Sequence, residues 1–228
     1  MKNNMKVILA IVGLSLAISL DAQIQIGTKA SVLYSTAKIN GIADNVLDKS
    51  LQDAFDVSLF ASIPLAKNFY LQPELSYNKK GFEVGQSIDL NLFNVDLPIG
   101  VAAVTEIDYI QVPVLGRLQF EYEKGGVYFL AGPSIAYATK GQLRTKVSAI
   151  IDLNLTRTDL DMSNSDYNRF EFAGVLGTGA FLNIGTNAKA FTEFKYHHGM
   201  SNLLDDPIVD LEIKNRAFGI GAGFQIGF

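Results

Sequence analysis

The chain has 228 residues, 48% of them hydrophobic and only 18% charged, with a formal net charge of −4 and no cysteine. The length suits one all-β domain of ordinary barrel size, and the charge content is leaner than the usual ~25%. These values exclude disulfides, thiolate metal sites and a lipid-modified cysteine. They also argue against a nucleic-acid partner, because no basic tract offers a phosphate footprint.

Residues 1–22 read as a secretory signal peptide. Lys2 and Lys6 supply a positive start, Val7 to Leu20 is an apolar stretch, and Ala22 is a small residue at the expected cleavage position. Beyond it no apolar run approaches the roughly 18 residues of a spanning helix. High hydrophobicity without a helical span is the pattern of a transmembrane barrel, in which alternation dilutes the lipid-facing residues.

The mature chain alternates from its first residues. Ile24, Ile26, Thr28, Ala30, Val32 and Tyr34 share one face, and residues 36–50 read as a loop. Phe55, Val57, Leu59, Ala61 and Ile63 form the next face, residues 64–68 a tight reversal, and Phe69, Leu71, Pro73, Leu75 and Tyr77 the returning strand. A polar segment at 81–106 is expected to separate this from the strand 107–121. A Gly-Gly reversal at 122–126 leads to Val127, Phe129, Ala131, Pro133, Ile135 and Tyr137. The longest connection is 140–168. Two further strands, joined by a turn at 185–189, and a loop at 201–215 precede the terminal strand.

That terminal strand sets Phe218, Ile220, Ala222, Phe224, Ile226 and Phe228 against Gly219, Gly221, Gly223, Gln225 and Gly227. One face is large and apolar; the other is nearly all glycine, as where a curved sheet crowds inward. The total is eight strands, with three short connections alternating with four long ones. Short turns on one side and long loops on the other give the expected fold class: all-β, an eight-stranded antiparallel up-and-down transmembrane barrel. A soluble barrel would carry a charged outer face, and the outward set here carries almost no charge.

Pro73, Pro113 and Pro133 lie in strand-like runs and are expected near strand ends or beside bulges. In the third long segment Leu143, Val147, Ile151, Leu153 and Leu155 share a parity. The flanking strands are therefore expected to continue past the membrane as a β-ribbon.

Tyr109-Ile-Gln-Val-Pro-Val-Leu-Gly-Arg117 and Leu130-Ala-Gly-Pro-Ser-Ile-Ala-Tyr137 resemble consecutive strands of the PorT-type outer-membrane β-barrel family of Bacteroidota. Phe172 to Ala180, Glu193 to Leu203 and the strand ending at Phe228 continue the same order. The resemblance implies an eight-stranded barrel in the outer membrane. It also implies an association with secretion and gliding machinery, with no catalytic motif to carry over.

Candidate site residues follow from parity. Glu74, Arg117, Gln119, Glu171, Glu193 and Lys195 fall on the inward set, where charge must pair or find water; a salt-bridged plug that closes the lumen is expected, with a polar conduit as the alternative. Phe218, Phe224 and Phe228 are the expected signal for the barrel insertion machinery. Adjacent strand positions His197 and His198 face opposite ways, so they cannot chelate one metal and are expected as interfacial polar residues. A hydrolase would need a serine and an acid beside one of them; Ser201 and Asp205 are the nearest in sequence. Asp205, Asp206, Asp210 and Glu212, with Asp159, Asp161 and Asp166, read as an acidic rim without the spacing of a calcium loop. Tyr34, Phe69, Tyr77, Tyr109, Phe120, Tyr137, Phe170, Tyr196 and Phe228 are expected as an interfacial girdle.

The functional expectation is a non-enzymatic, monomeric outer-membrane barrel acting structurally or through long extracellular loops, without cofactor or metal. Its termini are expected in the periplasm, and its expected partners are membrane lipid, the insertion machinery and envelope proteins. A barrel enzyme acting on lipid or peptide, or a small pore, is the alternative.

Overall fold

The computed structural model describes residues 24–40, 48–92, 95–148, 152–160, 168–202 and 212–228. The expected signal peptide therefore lies outside the described residues. Ten strands follow in chain order: β1 (Gln25–Asn40), β2 (Asp48–Ser50), β3 (Gln52–Ala66), β4 (Phe69–Leu92), β5 (Val95–Tyr122), β6 (Gly125–Ser148), β7 (Asp152–Leu160), β8 (Phe170–Ile184), β9 (Ala188–Gly199) and β10 (Glu212–Gly227).

Eight of them close a ring. β1 pairs with β3 and, on its other side, with β10; the circuit runs β3, β4, β5, β6, β8, β9 and β10, with every pair antiparallel. From Ile63 the paired residues run Leu71, Gly116, Ala131, Leu176, Tyr196, Phe218, Tyr34 and Asp53, so one circuit moves from position 63 to position 53 of β3. That displacement of ten residues is the shear of the barrel. On eight strands it tilts them roughly 40–45° and leaves a lumen only wide enough for side chains.

Alternation gives the wall its two faces. Ile26, Val32, Leu59, Leu75, Phe129, Leu176, Ile220 and Phe224 are each more than half exposed, whereas the intervening positions are buried. Leaving this much apolar surface uncovered is stable in lipid, and closure leaves no strand edge there.

The glycine face of β10 is inward, as the alternation predicts. A Cβ on Gly223 would lie 2.6 Å from Phe191 Cζ, and one on Gly221 would lie 2.8 Å from Ala30 O. Only hydrogen fits where β1 and β9 side chains fill the lumen. At the opposite edge of β8, Gly185 turns the chain with φ of 67°.

Two expectations need correction. Residues 81–106 do not form a loop: β4 and β5 stay paired from Phe69↔Leu118 to Leu92↔Val95, one continuous hairpin. At 24 and 28 residues these strands are more than twice the roughly 9–11 a tilted crossing needs. Their outer parts join the expected ribbon, in which β6 pairs with β7 from Gly141↔Leu160 to Ser148↔Asp152 and β2 adds to β4. Residues 149–151 lie outside the described part.

The prolines are the second correction, since Pro113 and Pro133 sit in strand interiors without an adjoining bulge. Pro113 stays in register opposite Ser134, while the β4–β5 pairing skips from Pro73↔Val114 to Ser76↔Gln111. Pro133 stays opposite Gly174, while the β5–β6 pairing skips from Pro113↔Ser134 to Gly116↔Ala131. Pro73 interrupts the β3–β4 ladder in the same way. Each missing N–H opens one ladder on one side only, and the other side keeps the strand in place. The bulges fall elsewhere, at Pro64/Ala66, Asp108/Tyr109 and Thr145/Lys146.

Candidate functional site: the charged lumen

The inward positions of the ring hold a layered polar network. At its centre Lys29 on β1 donates to Glu74 on β4 at 3.0 Å and to Glu193 on β9 at 2.7 Å. Lys195 donates to Glu74 at 2.6 Å and lies 3.3 Å from Glu193. Two lysines and two carboxylates from three strands thus form a closed square, further bonded by Gln72 Nε2 at 2.8 Å and Tyr128 OH at 2.9 Å. All four charged side chains are at most 10% exposed. In a medium that excludes water such groups are tolerable only with this degree of pairing.

Toward the short turns, Arg117 Nη1 donates to Gln72 Oε1 at 3.0 Å and Gln225 Oε1 at 3.1 Å, and its guanidinium covers the Tyr128 ring at 3.9 Å. Below it a hydrophobic cluster of Phe60, Leu115, Tyr128, Leu130, Val175, Phe181 and Phe191 fills the barrel. Phe60 and Phe191 meet edge to face at 5.6 Å. Toward the ribbon, Gln111 Nε2 bonds Ser134 Oγ at 2.6 Å and approaches His197 Nδ1 at 3.4 Å, and its Oε1 accepts from Asn78 at 2.8 Å. Above that layer Lys80 meets Glu171 at 2.5 Å, and Glu171 also accepts from Asn215. On the outward side of the wall at this level, Glu106 is bonded by Lys79 at 3.3 Å and paired with Arg144.

Of the six residues expected in the lumen cluster, Glu74, Arg117, Glu171, Glu193 and Lys195 are buried inside the ring. Gln119 is also buried, but its amide reaches Glu121 at 3.4 Å near the short-turn mouth. Glu171 stands in the upper layer with Lys80 and Asn215, apart from the central square. Three charges went unread in the sequence. All three were available from parity: Lys29 and Asp56 alternate with outward apolar neighbours, and Lys80 lies six positions after Glu74, before the segment 81–106. With them, Lys29, Lys80, Arg117 and Lys195 oppose Asp56, Glu74, Glu171 and Glu193.

Two further corrections concern facing. Tyr109 is fully buried inside the lumen, with Asn215 donating to its hydroxyl at 3.3 Å, so it is not part of the girdle. The other eight expected girdle aromatics face outward, paired as Tyr34–Phe218 at 5.5 Å and Tyr137–Phe170 at 5.2 Å between rings. His197 is lumenal and not interfacial, while His198 faces outward against Tyr196 OH at 3.3 Å. Ser201 Oγ accepts the Phe172 amide at 3.0 Å, so the bonds of His198 and Ser201 lead to different groups. Asp161, Asp166, Asp205, Asp206 and Asp210 lie outside the described residues, and among the described ones no three His, Asp or Glu side chains gather to hold a metal.

The ring, its shear and its lipid-exposed apolar wall define an eight-stranded transmembrane β-barrel. The chain belongs to the outer membrane protein beta-barrel domain family, which matches residues 17–205, and it is an outer-membrane protein. No curated protein is significantly similar in sequence. Among solved structures it is similar to Neisserial surface protein A (10% identity, 89% of this chain and 97% of that one, TM-score 0.40). It is also similar to OprG of Pseudomonas aeruginosa (9%, 91% and 96%, TM-score 0.48). The attachment invasion locus protein Ail of Yersinia pestis aligns at 13% identity over 90% and 99% of the chains, with TM-score 0.39.

Proposed function

We propose that this outer-membrane barrel is a closed, non-enzymatic anchor that presents the β4–β5–β6–β7 ribbon outside the cell to an envelope or secreted protein. The single observation that carries the reading is length: β4, β5 and β6 have 24, 28 and 24 residues and remain paired far beyond one membrane crossing. Paired strands that project from lipid offer backbone edges and two faces to a partner. Residues 1–22 serve as the export signal. Both termini lie in the periplasm, and Phe218, Phe224 and Phe228 face lipid on the last strand as the signal for the insertion machinery. The resemblance to PorT-type barrels of Bacteroidota supports a place beside a secretion assembly.

The absence of cysteine makes the test direct. Asn91→Cys and Asn154→Cys should react with a membrane-impermeant maleimide on intact cells. Glu83 pairs with Val104, so residues 84–103 can be replaced by an Asn-Gly turn without altering the barrel. This shortened protein should retain its heat-modifiable migration and lose the protein cross-links that the full chain forms. Unchanged cross-links after shortening would refute the ribbon as the binding element.

A further inference from the structure

Among the described residues, Arg117 is the one lumenal cation that no carboxylate pairs. Lys29 and Lys195 share Glu74 and Glu193, and Lys80 meets Glu171. Arg117 is 1% exposed, yet its Nη1 reaches only neutral oxygens: Gln72 Oε1 at 3.0 Å, Gln225 Oε1 at 3.1 Å and Ser62 Oγ at 3.5 Å. Gln72 separates it from the square, accepting from the guanidinium on one side and donating to Glu74 at 2.8 Å on the other. Asp56, a buried carboxylate whose bonds go to Ser58 and Asn78, stands roughly 20 Å up β3 from Ser62 and is too far to serve.

The other edge of this guanidinium, Nε and Nη2, is buried and has no hydrogen-bond partner in the protein. Those two N–H groups run parallel and form the fork that grips an anion side-on. The fork is held in a fixed plane. Its guanidinium lies 3.9 Å from the Tyr128 ring; the Tyr128 hydroxyl donates to Glu193 at 2.9 Å, and a Cβ on Gly179 would lie 2.3 Å from Tyr128 Cζ. A buried charge with two unsatisfied donors is strongly unfavourable. Arg144 Nε is also buried without a partner, but its guanidinium already has Glu106. Next to Arg117 on the same face of β5, Gln119 Nε2 reaches Glu121 only at 3.4 Å, and an amide so loosely held is free to turn toward an anion.

We infer that Arg117 is the binding site for one small monovalent anion of the halide class, gripped side-on by Nε and Nη2. Charge favours an anion over water alone, because the square is balanced within itself and the Arg117 layer holds a cation without a counter-charge. The neighbouring Phe60, Phe181 and Phe191 favour a weakly hydrated ion over a phosphate, whose remaining oxygens would need donors of their own. The bound ion gives the last lumenal cation its partner, and the stability of the plug is thereby tied to the anion.

The test uses the full-length barrel in detergent, with sodium bromide as the probe and sodium gluconate at equal ionic strength as the reference. Crystals grown in bromide should show one anomalous scatterer within hydrogen-bond distance of Arg117 Nε and Nη2. At a fixed urea concentration, the folded-to-unfolded ratio should rise about tenfold once bromide reaches roughly ten times its dissociation constant. Arg117→Lys, which keeps the charge and loses the fork, should lose the anomalous peak and most of the bromide effect. Arg117→Leu should respond equally to the two salts, and comparing each variant with itself removes any difference in baseline stability. Asp56→Asn should respond as wild type. A water without anomalous signal at the fork, bromide on the outer surface only, or an undiminished bromide effect in Arg117→Leu would overturn the site.

Discussion

Glu74 shows how much rests on single lumenal residues. Its carboxylate accepts from Lys29, Lys195 and Gln72 within 3.0 Å on each, and Glu193 alone would be left facing two buried ammonium groups if it were neutralised. Removing one partner of a buried ion pair costs about 3–5 kcal/mol. Glu74→Gln should therefore destabilise the barrel by that amount and shift its urea midpoint of unfolding to a lower concentration, read from the folded and unfolded bands on a gel. Asp53→Asn, at an exposed outward position, should leave the midpoint unchanged. A wild-type midpoint for Glu74→Gln would show that the square does not hold the strands. At this scale the sequence was partly legible, because a period of two assigns Glu74, Glu193 and Lys195 to one side of the wall. It could not assign partners, since Lys29 and Glu193 are 164 positions apart and are brought together only by closure.

Among the elements, β10 has the tightest tolerance. Gly223 lies against Phe191 and Lys29 side chains, whereas its neighbour Ala222 faces lipid. Gly223→Leu should abolish the heat-modifiable folded band, because the added side chain meets a filled lumen; Ala222→Leu should leave it intact. Equal folding of the two variants would contradict the crowding that the glycine face records. The face of β10 was readable from its alternation alone. The extent of β4 and β5 was not: residues 81–106 carry enough polar and glycine positions to read as loop, and only their mutual pairing makes them strands. Pro113 was misplaced for a related reason. Proline weakens one ladder, and a ring supplies a second on the other side.

For the whole molecule, the polar layers and the aromatic cluster together fill a barrel of eight strands with shear of ten. Steady single-channel conductance should accordingly be near zero in planar bilayers. Arg117→Leu should stay non-conducting but unfold at lower urea, because Gln72 and Gln225 lose their shared donor while Phe60, Phe181 and Phe191 still fill the lumen. A large steady conductance from the unaltered protein would defeat the closed reading. By itself the sequence determined the class of protein, because alternation without a helical span has one stable arrangement in lipid. It also determined which side of the wall most residues face, which is a local property of an extended chain. Only the tertiary structure decided which charges meet and how far the ribbon extends. Those depend on register around the ring, and register is set by strands that are distant in the chain.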